Sequence, residues 1–581
     1  MTTPTFDMIL RGGTIIDGTG ADRFVGDVGV RAGKIVEVVH ADDGGIAGTG
    51  TEEIDAAGHI VAPGWVDIHT HYDGQLTWDP LLTPSCWHGV TTAVMGNCGM
   101  GFAPVKPGTE GWLVEMMEST EDIPARCLHE SIQWNWETFP EYLDSVDTGR
   151  YAMDVGTQVP HAALRAYVMG ERGALNEPAT PEDAAEMARL VAEGIEAGAL
   201  GFSFSRTKAH TYRDGYQPGT LSGQPELEPI ARSIAEIGGA TIMFSPRGVT
   251  GLYPDERQGE LDLAEQLARA SGGPVMMCLI QHGPDPQEWE RMLAKMADVR
   301  ADGAEVLAQC TGRSVCTMVG FATKFNPFAH GPTWAEELAS LSLAEISARV
   351  VAEPALREKL LADADATRDI WQARKLLESR TFPLVPPGSE EPLYEPTESV
   401  EAIGVRTGRT GLEVMLDLMC DDDGQGLLNY PHYNFIDGNL DAVRSMMVNE
   451  GVRVGLSDAG AHLETLADAS LHTFMVTHWG RDRENGIPLE HVVRKLTSET
   501  ASVFGLEDRG VIEPGRRADI NVIDLENLQL GRPWLAHDVP ADGARLLQSA
   551  KGYRYTIVAG EVTFRDGEHT GALPGRLVRR A

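Results

Sequence analysis

The chain has 581 residues, 42% hydrophobic and 23% charged, a globular composition with enough apolar material for a barrel-sized domain plus a smaller one. Its 48 basic residues stand against 86 acidic ones, a formal net charge of −38, which argues against nucleic acid or anionic membranes as partners. Seven scattered cysteines suggest no disulfide framework, and no run reaches the roughly 18 apolar residues that span a bilayer, so a cytoplasmic protein is expected.

The first element is a set of short strands. "FDMILRGGTIIDGTG", "GDVGVRAGKIVEVV" and "TEEIDAAGHIVAPG" are apolar or alternating and broken by glycine turns. The C-terminal "ADINVIDLENLQLG" and "GYRYTIVAGEVTFRDG" have the same texture, so residues 1–61 and 506–581 are expected to build one small β-sandwich from both termini.

The middle, residues 62–505, reads as a (β/α)8 TIM barrel. Short apolar runs recur at 62–69, 91–97, 151–157, 199–205, 240–246, 274–280, 305–310 and 451–458. A doubly wound sheet produces the same local pattern. Helical stretches lie between several of them, at 180–198, 226–239 and 260–272. The first opens on Thr180-Pro181 with Glu182 and Asp183 in its first turn, a strong helix start. Two long connections, 98–150 and 311–450, interrupt the alternation, and insertions of this length are commonly lids or rims.

The chemistry-bearing residues come next. In "GWVDIHTHYDG", His69 and His71 are two apart, so on an extended strand both side chains face one side, about 6–7 Å apart along the backbone. At the carboxyl end of the first barrel strand they can converge on one divalent ion, although one of the pair could equally be a packed residue. Asp458 ends the last apolar run, "VRVGLSDAGAH", on the far side of a closed barrel, where a carboxylate can ligate a metal and take a proton from an attacking water. Cys98 in "VMGNCGMG" follows the second strand and offers a thiolate. Cys86, Cys127, Cys278, Cys310, Cys316 and Cys420 have no ligand-like spacing and read as structural.

The order "VAPGWVDIHTHYD", "GVTTAVMGNCG", "VGLSDAGAH" and "LTSETASVFGLEDRGVIEPGRRADINVID" resembles the metal-dependent amidohydrolase superfamily, and within it the D-aminoacylase (N-acyl-D-amino-acid deacylase) branch. The resemblance implies a TIM barrel flanked by a small β-sandwich, and amide hydrolysis by metal-activated water, with zinc as the expected ion. It implies His69, His71, Cys98 and Asp458 as metal ligands and Asp458 as catalytic base and acid, acting on a small-molecule amide. Assembly into a homo-oligomer is left open.

The pattern departs from that branch at two strands. A histidine is expected at the end of strand five, where "TIMFSPRG" offers Ser245 or Pro246, and at strand six, where "VMMCLIQHG" offers Cys278 and Leu279. A lysine expected near strand six is also absent, with Gln281 nearby. Three outcomes stay open: one ion held by His69, His71, Cys98 and Asp458; a rearranged site completed by His210 or His282; or a divergent barrel with altered or lost activity. Hydrolysis of a cyclic amide or imide, or of an ester or lactone, would use the same machinery. Arg206 and Arg247 are candidate clamps for a substrate carboxylate, and His161 a candidate supporting residue. His472 and His478 read as packing or capping residues.

Overall fold

Eight short, fully or largely buried strands alternate with amphipathic helices, and a sheet made of such strands is stable only when both faces are covered. In the structure, a computed structural model that describes residues 5–251, 256–373, 376–386, 388–389 and 391–580, these strands form one parallel sheet. They are β1 (Trp65–Asp67), β2 (Val90–Met95), β3 (Asp154–Pro160), β4 (Gly201–Ser205), β5 (Thr241–Ser245), β6 (Val275–Cys278), β7 (Val306–Cys310) and β8 (Val452–Val454). Each pairs with the next in sequence order. The ring closes just beyond β1 and β8, where the His71 amide donates to the Ala459 carbonyl at 2.7 Å and Thr70 bridges to Ala459. This is the TIM barrel expected from the alternation.

The run at 62–69 divides between two sheets. Ile60–Pro63 pairs antiparallel with Ile520–Ile523, so it belongs with the termini, and only Trp65–Asp67 joins the barrel. Gly64 is the junction: a Cβ there would sit 2.1 Å from Thr91 Oγ1, so no other residue lets the chain pass so close to β2. The third run is also displaced, its strand starting at Asp154 rather than near 151.

The connection after β2 carries α1 (Glu110–Glu121), which ends on Asp122 in the left-handed conformation. After β3 comes α2 (His161–Met169), and then α3 (Pro181–Glu196), opened by the Thr180–Asp183 capping box. α4 (Gln224–Glu236) and α5 (Arg257–Ser271) follow β4 and β5. Within 311–450, residues between Val319 and Tyr430 bury an apolar core of their own around Val319, Phe328, Trp371 and Met415, while others such as Cys316, Phe382 and Phe435 join the main core. Strands from both ends of the chain share one nine-stranded sheet that buries a separate core including Leu10, Val28, Ile520 and Ile557. Arg509 pins this sheet to the barrel, donating to Thr92 Oγ1 at 2.8 Å and Asp154 Oδ2 at 2.7 Å.

Buried charge is tolerated where it is paired. Glu226 on α4 accepts hydrogen bonds from His161 Nε2 (2.8 Å), from Ser222 (3.0 Å) and from the Arg165 guanidinium of α2. His161 thus holds Glu226 beneath the barrel's outer layer. Burial pushes the Glu226 carboxyl up, but the His161 hydrogen bond and the Arg165 charge outweigh it and hold it at about 2. The stability this lends is fully present above the usual carboxylate value near 4.5 and is lost as pH falls toward 2. Arg165→Met, which leaves Glu226 buried beside only neutral donors, should cost about 3–5 kcal/mol in chemical denaturation at neutral pH. Glu226→Gln should flatten the acid limb of stability between pH 4.5 and 2; an unchanged limb would remove this pair from the account.

Candidate metal centre at the barrel mouth

The residues at the mouth are set by the ends of strands. Just past β1, His69 and His71 are both buried, with ring centroids 5.5 Å apart. Asp67, at the end of β1, accepts from the His69 amide (3.1 Å) and from Ser457 Oγ (2.7 Å), tying the chain after β1 to the chain after β8. Burial pushes the Asp67 carboxyl up to about 7 against those two bonds. Cys98 (φ 54°), Leu456 (φ 57°), Asp458 (φ 46°) and His462 (φ 50°) all adopt left-handed backbone, which non-glycine residues rarely do. Three of them, Cys98, Asp458 and His462, carry side chains of one cluster, so the site is held against local preference.

The side chains converge. His69 Nε2 lies 3.2 Å from Asp458 Oδ1 and 3.4 Å from Cys98 Sγ, and His71 Nε2 lies 3.9 Å from the same Asp458 oxygen. One ligand atom from each of His69, His71 and Cys98 falls within 4.8 Å of the others. His69 Nδ1–H donates to Gln309 Oε1 at 2.7 Å, which fixes the tautomer and leaves Nε2 with a bare lone pair. That lone pair faces a carboxylate oxygen. Burial lowers the affinity of His69 for a proton and drives His71 well below the usual histidine range, so neither ring readily supplies a proton to bridge the gap. Both ring nitrogens of His71 are buried without a hydrogen-bond partner. Burial also pushes the Cys98 thiol well up. Buried nitrogen, sulfur and oxygen donors that converge in this way fit a divalent cation, which would displace the thiol proton, and the mixed set suits a borderline-soft ion.

At strands five and six the structure has small groups. Ser245 Oγ lies 3.5 Å from Cys98 Sγ and 3.4 Å from Cys278 Sγ, so Cys278, read from sequence as merely structural, sits against the centre. Leu279 is packed in the main core. His282 does not join the centre: its Nε2 donates to Glu288 Oε2 at 2.8 Å and its Nδ1 accepts from the Asp285 amide at 3.3 Å. His210 does. A ring nitrogen of His210, Cys98 Sγ and a Glu121 oxygen lie within 4.8 Å of one another. Burial lowers the His210 imidazole to about 4.

Glu121 and His462 are residues that sequence reasoning passed over. Glu121 closes α1 in the first insertion, with Oε2 3.6 Å from His71 Nε2 and 3.8 Å from His462 Nε2, and burial pushes its carboxyl well above the usual range. The His462 amide donates to the Glu121 carbonyl at 2.6 Å, which docks the end of α1 on the loop after β8. His462 stands four residues past Asp458 in the same motif, a usable signal; nothing in the spacing around Glu121 announces it.

The arginines expected to clamp a carboxylate are already engaged. Arg206 donates through Nε to both oxygens of buried Glu260, at 3.0 and 2.9 Å. Arg247 lies 3.7 Å from Glu256 and donates to the Thr220 carbonyl. Gln281 is held by Asp437 of the second insertion, at 2.6 Å.

Known proteins bear on this arrangement. A family model described as "Amidohydrolase family" matches residues 52–564. An N-acyl-D-glutamate deacylase of Alcaligenes xylosoxydans xylosoxydans is 27% identical over 591 residues, 99% of this chain and 96% of that protein. A D-aminoacylase of the same organism is 32% identical over 234 residues, 40% of this chain and 43% of that protein. The solved structure of an N-acyl-D-glutamate deacylase from Bordetella bronchiseptica, complexed with zinc and a phosphonate inhibitor, is 22% identical with a TM-score of 0.65, covering 99% of this chain and all of that one; it supports the fold. The chain therefore belongs to the amidohydrolase family, whose members hydrolyse carbon–nitrogen bonds other than peptide bonds.

Proposed function

We propose that the protein is a metal-dependent deacylase of N-acyl amino acids, working on a small-molecule amide in the cytoplasm. The observation that carries the reading is the convergence of His69, His71, Cys98 and Asp458 at the carboxyl end of the barrel, with Asp458 Oδ1 3.2 Å from His69 Nε2. Full-length similarity to an N-acyl-D-glutamate deacylase supports the substrate class. Seven cysteines without a disulfide support a reducing compartment.

His69, His71, Cys98 and Asp458 would hold the ion, zinc by the character of the donors. When bound, it polarises the acyl carbonyl and acidifies a water. Asp458 is the base. Its side chain is 24% exposed while that of His69 is fully buried, so among these groups it meets the substrate. One oxygen faces the histidines and the other is available to take the water's proton and return it to the leaving nitrogen. Gln309 keeps His69 in the ligating tautomer, and Asp67 with Ser457 keeps the loop bearing Asp458 in place.

Metal analysis and a panel of N-acetyl-D- and N-acetyl-L-amino acids, followed by release of free amine, test the reading. Purified protein should carry zinc that His69→Ala loses, and should deacylate at least one member of the panel. Metal-loaded protein that opens hydantoins or lactones but releases no amino acid would remove the substrate class. Asp458→Asn should keep most of its metal and lose about 10²–10⁴-fold in kcat; undiminished turnover would take Asp458 out of its role.

A further inference from the structure

Strands five and six end in Ser245 and Cys278, whereas Cys98 Sγ also lies within 4.8 Å of ligand atoms of Glu121 and His210. Glu121 is delivered by the first insertion and has one oxygen, Oε1, buried with no hydrogen-bond partner. Among the described residues its ion-pair partners are the histidines His71 and His462, with no lysine or arginine to neutralise it. His210 is prepared in the way His69 is. Its Nδ1–H donates to Gln217 Oε1 at 2.9 Å, with Ser205 Oγ at 3.1 Å, which leaves Nε2 carrying the lone pair. Gln217 also donates through Nε2 to the Cys98 carbonyl at 2.8 Å, so one amide orients two of the three groups.

We infer that Cys98, Glu121 and His210 form a second divalent-metal position, displaced from the barrel strands toward the first insertion and sharing Cys98 with the position at His69, His71 and Asp458. This rests on the mouth being a metal centre, as proposed above, and adds where its second ion sits. The donor set is a thiolate, a carboxylate and a neutral imidazole, which suits zinc or cobalt. A cation there would give the buried Glu121 Oε1 the partner it lacks among the described residues.

The test is uptake of Co(II) alone by the full chain after removal of metal with a chelator, read by elemental analysis and by thiolate-to-cobalt charge-transfer absorption. Two equivalents should bind to the parent protein and one to each of Glu121→Gln and His210→Asn. His69→Asn should also bind one, with the charge-transfer absorption retained. Circular dichroism of the metal-free variants establishes that each is folded. If Glu121→Gln is not, His210→Asn makes the same test from a separate loop. A single equivalent in the parent that His69→Asn removes and His210→Asn leaves untouched overturns this inference while sparing the hydrolase reading. Two equivalents that survive in both Glu121→Gln and His210→Asn also overturn it. No uptake by the parent sinks both readings.

Discussion

The constraint on which the mouth of this barrel depends is a convergence of lone pairs. His69 Nε2 and Asp458 Oδ1 stand 3.2 Å apart, with the histidine's other nitrogen already donating its proton to Gln309. Two electron-rich atoms at that distance repel unless something positive lies between them or beside them. The surrounding protein makes protonation costly, because burial lowers both His69 and His71. The structure therefore does not let the site relax into an ordinary hydrogen-bonded cluster. It holds a geometry that a divalent cation resolves.

Holding that geometry takes most of the surrounding architecture. The barrel closes at Thr70, His71 and Ala459, between the two segments that carry the histidines and the aspartate. Ser457 binds both Asp67 and the His69 carbonyl (2.9 Å), so the closure is made by the neighbours of the functional residues. Left-handed backbone at Cys98, Asp458 and His462 is unfavourable locally, of order 1–3 kcal/mol each, and it persists because these contacts over-determine it. The first insertion is part of the same assembly, since the end of α1 hydrogen-bonds to the loop after β8.

What the sequence discloses follows from how far each residue's role is local. His69 and His71 are legible because a spacing of two on an extended segment fixes a common side, and Asp458 because it ends the last apolar run of a closed barrel, although the structure puts it beside the first strand and not across from it. The capping box at Thr180 is legible for the same reason: the four positions from Thr180 to Asp183 contain all of its chemistry. Strand ends were less certain, and the first run was in fact two strands in two sheets, a split that only the pairing with Ile520–Ile523 reveals. Glu121 lay beyond reach. Its position depends on how a 53-residue insertion (98–150) folds back over the mouth, and no periodicity encodes that. His210 and His282 looked alike in sequence and separate in space, because Glu288 occupies one and Gln217 orients the other.

The buried ion pairs also bear on what the site recognises. Arg206 stands where a barrel enzyme could clamp a substrate carboxylate, yet its guanidinium engages both oxygens of Glu260 in a buried pair. Only its Nε is committed there: Glu260 also accepts from the Arg247 amide at 3.2 Å, and Arg206 Nη1 is buried with no hydrogen-bond partner among the described residues. The pair is better understood as part of the frame that joins β4 to α5. The second insertion is tied to the chain after β6 in a comparable way, Asp437 accepting from Gln281 Nε2 at 2.6 Å.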